Sequence, residues 1–141
     1  MRRAWLLLLL AGFVAACGPP VPPFRVEVDD ARVRPTRPGS LHSAAYFSLE
    51  NTGSVAVRLV GATAEGVRAV ELHRTVAAGG VARMEPVDGV DLAPGAAAAF
   101  APGGLHVMLI GVERTLAPGD TLALALAFAS GDTVRVAAPV R

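Results

Sequence analysis

The sequence predicts an all-β domain, an antiparallel sandwich or barrel, and three observations carry that expectation. Short β-branched or alternating segments recur from Phe24 to Ala138, separated by Gly, Pro, Asn and Asp turns. No stretch repeats apolar residues at helical spacing over three turns. The last two apolar segments, 121–129 and 133–138, are joined by Ser130-Gly131-Asp132, a hairpin-like connection. About eight such strands at regular spacing suit a two-layer β domain.

Taken in order, the first strand starts near Phe24, where Arg25-Val26-Glu27-Val28 alternates and Arg32-Val33-Arg34 continues the pattern. Residues 35–40 (PTRPGS) carry two prolines and read as a loop. In 44–50 (AAYFSLE), Tyr46, Ser48 and Glu50 share one face and Phe47 and Leu49 the other, with Asn51-Thr52-Gly53 turning the chain. Residues 55–60 (VAVRLV) form a β-branched strand, and 61–66 read as a polar link. Residues 67–75 (VRAVELHRT) and 81–87 follow as strands about the Gly79-Gly80 turn. Pro94-Gly95 and Pro102-Gly103-Gly104 bracket the alanine-rich 96–101, expected as an edge strand, before the strand 105–112 (LHVMLIGV). Pro118-Gly119-Asp120 turns the chain into the final pair.

The first residues stand apart from this domain. Arg2 and Arg3 precede an uncharged run from 4 to 16, shorter than the ~20 apolar residues that span a bilayer and suited to a signal-peptide core. It ends in Val14-Ala15-Ala16-Cys17, which resembles a bacterial lipobox. The expected organisation is a signal peptide at 1–16, then a lipidated Cys17 with a proline-rich tether to Pro23 (GPPVPP after the cysteine), then a domain at 24–141. A plain secretory cut near Ala16 is the alternative. Both export the protein; the first anchors it by lipid on the periplasmic or cell-envelope face of a membrane.

Composition excludes several chemistries. Cys17 is the only cysteine, so the domain has no disulfide, no CxxC exchange motif and no thiolate for a blue-copper site. All thirteen basic residues are arginine, scattered along both halves, and no basic stripe points to nucleic acid. No Ser-His-Asp set or carboxylate pair stands out, and a catalytic zinc would not choose methionine, so an enzyme is not expected.

The chemistry concentrates between His73 and Met108. Apart from the initiator, Met84 and Met108 are the only methionines, and two of the three histidines, His73 and His106, stand with them in the pattern H-x10-M-x21-H-x-M. Taken singly, a strand methionine is core filler and a lone histidine a surface residue. As a set, two neutral thioethers and two imidazoles select Cu(I) over hard cations. Residues two apart on a strand share a face. His106 and Met108 therefore project together, while Leu105, Val107 and Leu109 suit the core. Likewise Glu71 and His73 point away from Val70 and Leu72. Glu71 and Glu85 neighbour two of these residues; orienting an imidazole is one reading, and solvated strand charges the commoner one. His42 has no methionine or carboxylate at ligand spacing and is assigned no role.

The spacing, with Tyr46 and Asn51 in AAYFSLEN, Glu71-Leu72-His73, Gly80-Val81 before Met84, and the run 102–109 (PGGLHVML), resembles the PCu(A)C family of periplasmic copper chaperones over residues 26–138. The resemblance implies a cupredoxin-like antiparallel Greek-key β-sandwich binding one Cu(I) per chain through His73, Met84, His106 and Met108. It also implies delivery to the copper-binding subunit of cytochrome c oxidase, at its binuclear centre, or to another copper assembly protein. Relatives often carry a further methionine two residues after the first histidine; Thr75 stands there, so four ligands are expected. The histidine- and methionine-rich tail of some relatives has no counterpart before Pro139-Val140-Arg141, and a second copper site is not expected. Two alternatives stay open: a copper-sequestering or resistance protein with no dedicated acceptor, and a structural lipoprotein with incidental His and Met.

Overall fold

Ten strands make up the domain in the computed structural model, which describes residues 18–141. The leader and Cys17, on which the signal-peptide and lipidation expectations rest, lie outside the described residues. The strands are β1 (Val26–Val33), β2 (His42–Asn51), β3 (Val57–Ala64), β4 (Val67–Ala78), β5 (Val81–Pro86), β6 (Val90–Leu92), β7 (Ala97–Phe100), β8 (Leu105–Val112), β9 (Thr121–Phe128) and β10 (Thr133–Pro139). A six-stranded sheet, β1-β2-β7-β8-β4-β5, packs on a four-stranded one, β10-β9-β3-β6. Among the described residues there is no helix, hence none long and apolar enough to cross a membrane.

Alternation builds the core. In the larger sheet Ala45, Val107 and Leu72 oppose one another across β2, β8 and β4 and are buried with Phe47, Leu49 and Leu109. Leu122, Leu124, Leu126 and Phe128 of β9 meet them from the smaller sheet. Each fully buried leucine or phenylalanine stabilises the fold by about 1.5–3 kcal/mol relative to exposure. Asn51 is a polar side chain buried at the end of β2. Its amide donates to the carbonyls of Val55 (2.8 Å) and Leu92 (3.0 Å) and accepts from the Gly53 N–H (3.0 Å), so the side chain is satisfied and ties the β2–β3 turn to β6.

Three expectations need correcting. The link expected at 61–66 is strand as far as Ala64: β3 shifts register between Leu59 and Gly61 and keeps pairing with β9, and this irregularity hides the alternation. β6 has no signature in the sequence, because three residues are too few to show a period. The segment 96–101 does contain a strand, β7, but it is not an edge. β2 is long enough to pair twice, with β8 through residues 42–45 and with β7 through residues 47–50. β7 and β8 therefore lie in line inside the sheet, with Phe100 stacked on Phe47 at 4.4 Å. Their one shared bridge, Phe100 to Leu105, is parallel, whereas the other strand pairs are antiparallel.

A bulge in β1 reorients the second half of that strand. Val28 opposes Leu49 and Val33 opposes Ala45, so β1 holds one residue more than β2 over this stretch, with the shift between Asp29 and Arg32 and Asp30 at φ 51°. An extra residue flips the alternation. Arg32 and Arg34 thereby join Tyr46 and Ala44 on the outer face of the sheet.

Candidate metal centre

Antiparallel partners lie side by side on one face of a sheet, and this places the four candidate ligands. His73 on β4 opposes His106 on β8, and Glu71 opposes Met108. On the other flank of β4, Thr75 opposes Met84 of β5. All four project from the outer face of the six-stranded sheet, opposite Val107 and Leu109. The imidazole centroids are 5.8 Å apart, tilted by 58°. Met84, His106 and Met108 line one cavity of 180 Å³ with Arg34, Ala44, Tyr46, Thr75 and the Pro102-Gly103 turn. His73 does not line this cavity; its ring stands beside that of His106. A larger groove of 680 Å³ beside Thr36 to Leu41 and Val112 to Thr115 holds none of the four.

Hydrogen bonds decide which nitrogen each ring leaves free. His106 Nδ1 lies 3.1 Å from the carbonyl of Gly104, and a carbonyl only accepts, so Nδ1 carries the proton. The remaining Nε2 is buried and has no partner. His73 Nε2 donates in the same way to a Glu71 carboxylate oxygen at 2.8 Å, leaving Nδ1 buried and without a partner. Leaving a buried acceptor unpaired costs about 1–3 kcal/mol. In a singly protonated ring each of these nitrogens is a lone pair, and two on facing residues offer half of the donor set that a soft or borderline cation takes.

Local structure explains this arrangement. Residues 101–104 form a tight turn closed by Ala101 N–H to Leu105 O (2.8 Å) and Gly104 N–H to Ala101 O (3.0 Å), with Gly103 at φ 81° where only glycine sits without strain. The turn presents the Gly104 carbonyl to His106 and also to the Thr75 N–H, at 3.1 Å. His106 is consequently only 4% exposed, although it points away from the sandwich. Met84, on the wholly exposed β5, is 59% exposed. The site thus runs from two sheltered nitrogens to a thioether at the surface.

Glu71 is half exposed to solvent and also bonds His73, so it is a solvated strand charge that orients an imidazole as well. Glu85 opposes Arg74 across the β4–β5 pair, on exposed β5, and the solvated reading holds there. Glu71 was legible as a carboxylate two residues before a histidine on a strand. The Gly104 carbonyl and Arg34 were not, since a tight turn and a bulge bring them in. His42 opposes Ile110 at the exposed start of β2, away from this cavity. Among the described residues no three His, Cys, Asp or Glu side chains gather as a metal site.

Comparison with known proteins agrees with this fold. Residues 26–140 match the family model described as "Putative lipoprotein LpqE-like". The chain is 37% identical over 117 residues to "Putative lipoprotein Lxx21020" of Leifsonia xyli subsp. xyli, covering 82% of this chain and 69% of that one. It is 33% identical over 88 residues to the uncharacterized protein RP573 of Rickettsia prowazekii, covering 62% of this chain and 49% of that one. Among solved structures it is similar to Cu(I)-bound DR1885 of Deinococcus radiodurans, at 32% identity and TM-score 0.65 over 91% of this chain and 83% of the other. The copper-bound PCuAC domain from PmoF2 shares its fold at TM-score 0.69 and 22% identity, over 86% and 94% of the two chains. A two-sheet, cupredoxin-like Greek-key sandwich matched by a family model over nearly all of its described length places the chain in the LpqE-like family of lipoproteins, of the PCu(A)C type.

Proposed function

We propose that this protein is an exported copper chaperone that takes up one Cu(I) per chain as cargo, through His73, Met84, His106 and Met108, and passes it on. One observation carries the reading: the facing imidazoles each spend one nitrogen on a protein acceptor and hold the other buried and unpaired, at Nδ1 of His73 and Nε2 of His106. The soft thioethers beside them favour the monovalent ion. The 32% identity to a structure determined with Cu(I) supports it further.

Such a set suits an oxidising compartment. Thioethers form no disulfides and need no deprotonation, so only the imidazoles compete with protons for the ion. Met84, exposed at the rim, is the ligand an incoming acceptor group displaces first, while the sheltered histidines hold the ion until exchange completes. That exposure favours transfer over sequestration. Ligand exchange requires no enzymatic step. The receiving protein in this reading is the copper-binding subunit of cytochrome c oxidase or another copper assembly protein. A lipidated Cys17 and the tether after it hold the domain at the outer face of a membrane.

Anaerobic Cu(I) titration against a competing chelator is the test, with one equivalent expected and Met84→Ala losing one sulfur from the copper X-ray absorption spectrum. Absence of stoichiometric uptake would sink the reading. Uptake without transfer to an apo oxidase copper domain leaves the sequestering alternative instead.

A further inference from the structure

Three buried side-chain nitrogens lack a hydrogen-bond partner among the described residues, and the third is Arg34 Nε. Arg34 lines the same cavity as Met84, His106 and Met108. The two imidazole nitrogens are lone pairs that a cation satisfies. A guanidinium Nε is a donor only and stays charged, so a metal ion cannot satisfy it. Copper loading even adds a second positive charge to the cavity. What the arginine lacks is an acceptor, preferably an anionic one.

No described carboxylate fills that need. Glu71 is engaged by His73 at 2.8 Å, and Asp30 by Arg32 and Arg141. Arg32 makes the contrast clear: it pairs with Asp30 at 2.8 Å and lies over the Tyr46 ring at 5.4 Å. The Arg34 backbone, meanwhile, is clamped. Its N–H donates to the Ala44 carbonyl at 2.9 Å, and its carbonyl accepts from the Ser43 hydroxyl. The β1 bulge turns it onto the outer face, so a guanidinium with an unpaired Nε lines the cavity that the exposed thioether of Met84 also lines.

We propose that Arg34 is a carboxylate-binding site built beside the copper ligands, and that its occupant is an Asp or Glu side chain of the protein with which the cargo is exchanged. The proposal rests on the copper reading and adds the chemistry by which a partner is recognised. A partner that approaches Met84 to take the ion finds Arg34 lining the same cavity. Its carboxylate meets the guanidinium and offsets the added charge while ligands change over.

The experiment measures copper transfer from the Cu(I)-loaded chain to two synthetic acceptor peptides of matched histidine and methionine content, one bearing a glutamate and the other a glutamine. Wild type is expected to metallate the glutamate peptide about tenfold faster, in line with the rate effect of a complementary charge. In Arg34→Gln the ratio falls to near one, and Arg34→Lys keeps an intermediate preference. Arg135→Gln, which removes an exposed charge on β10 of the other sheet, keeps the wild-type ratio. A wild-type ratio near one, or a preference that survives in Arg34→Gln, overturns the proposal. Failure of the copper reading shows separately, as no Cu(I) uptake at all. The carboxylate site is then judged on the apo chain: a saturable shift of the Arg34 Nε–H resonance on adding sodium acetate upholds it, and no shift rejects it.

Discussion

The carboxylate of Glu71 does for His73 what the Gly104 carbonyl does for His106: it removes one ring nitrogen from play and aims the other. The two devices differ in charge. Glu71 brings the one negative charge directly bonded to the candidate ligands, whose own atoms are all neutral. Loss of such an outer partner typically costs 10–100-fold in metal affinity. Glu71→Ala is therefore expected to weaken Cu(I) binding by about that factor, and Glu71→Gln, whose amide oxygen still accepts from Nε2, by less. Chelator competition measures the affinities. Nitrogen-15 NMR of apo His73 should show the Nε2-protonated form in wild type and Glu71→Gln and a mixture in Glu71→Ala. Equal affinities in all three proteins would remove Glu71 from the site.

At the scale of elements, the β2–β3 turn fastens the start of the domain. Ser54 N–H reaches the carbonyls of Pro22 and Pro23 at 3.1 and 3.2 Å, and Val55 N–H that of Pro23 at 3.2 Å. Gly53 permits this approach. A Cβ there would stand 2.5 Å from the Pro23 oxygen and 2.7 Å from the Arg25 nitrogen, both backbone atoms that cannot swing away. Gly53→Ala is expected to lift residues 22–25 off the turn at a cost of about 1–3 kcal/mol. Hydrogen exchange would show it as lost protection at Ser54 and Val55 with the β4–β8 amides unchanged. Unaltered protection at Ser54 would contradict the account. The β4–β5 hairpin is held differently: β5 pairs only with β4 and is exposed throughout. Met84 therefore sits on a strand exposed at every residue, which suits the leaving ligand of the proposed transfer.

For the molecule as a whole, stability rests on the core between the sheets, and its acid limit is set partly where the chain crosses from β8 to β9. There the Asp120 carboxylate accepts from the Ala117 N–H and from Arg114, both at 2.9 Å. The Ala117 backbone bond first, and the Arg114 hydrogen bond next, hold its pKa below the usual 3.8. A depressed acid stabilises the fold fully above the unfolded value and loses that contribution as pH falls through the folded one. Asp120→Asn is thus expected to lower the urea midpoint near neutrality, with the gap to wild type closing as pH drops below 3.8. A gap independent of pH would mean the carboxylate's charge plays no part. The same crossing shows how two layers come from one chain: a segment leaves the six-stranded sheet and enters the four-stranded one, so the core buries both inner faces.

The class of fold was legible in the sequence alone, and so were the four candidate ligands of the proposed site. Alternation of residue type in LHVMLIGV sets Val107 and Leu109 on one face and His106 and Met108 on the other, and alternation is a local property of extended chain. The sequence also marked the scarce soft ligands, because their spacing and rarity need no coordinates to be seen. Which atoms stand free follows from contacts between distant segments: one nitrogen in each of two rings, and the Nε of Arg34. Those depend on a carbonyl presented by the 101–104 turn, a carboxylate brought within 2.8 Å of an imidazole, and one extra residue in β1. The long alternation of β2 gave no hint that two collinear strands share its length, since register is a relation between distant segments and leaves no period in either one.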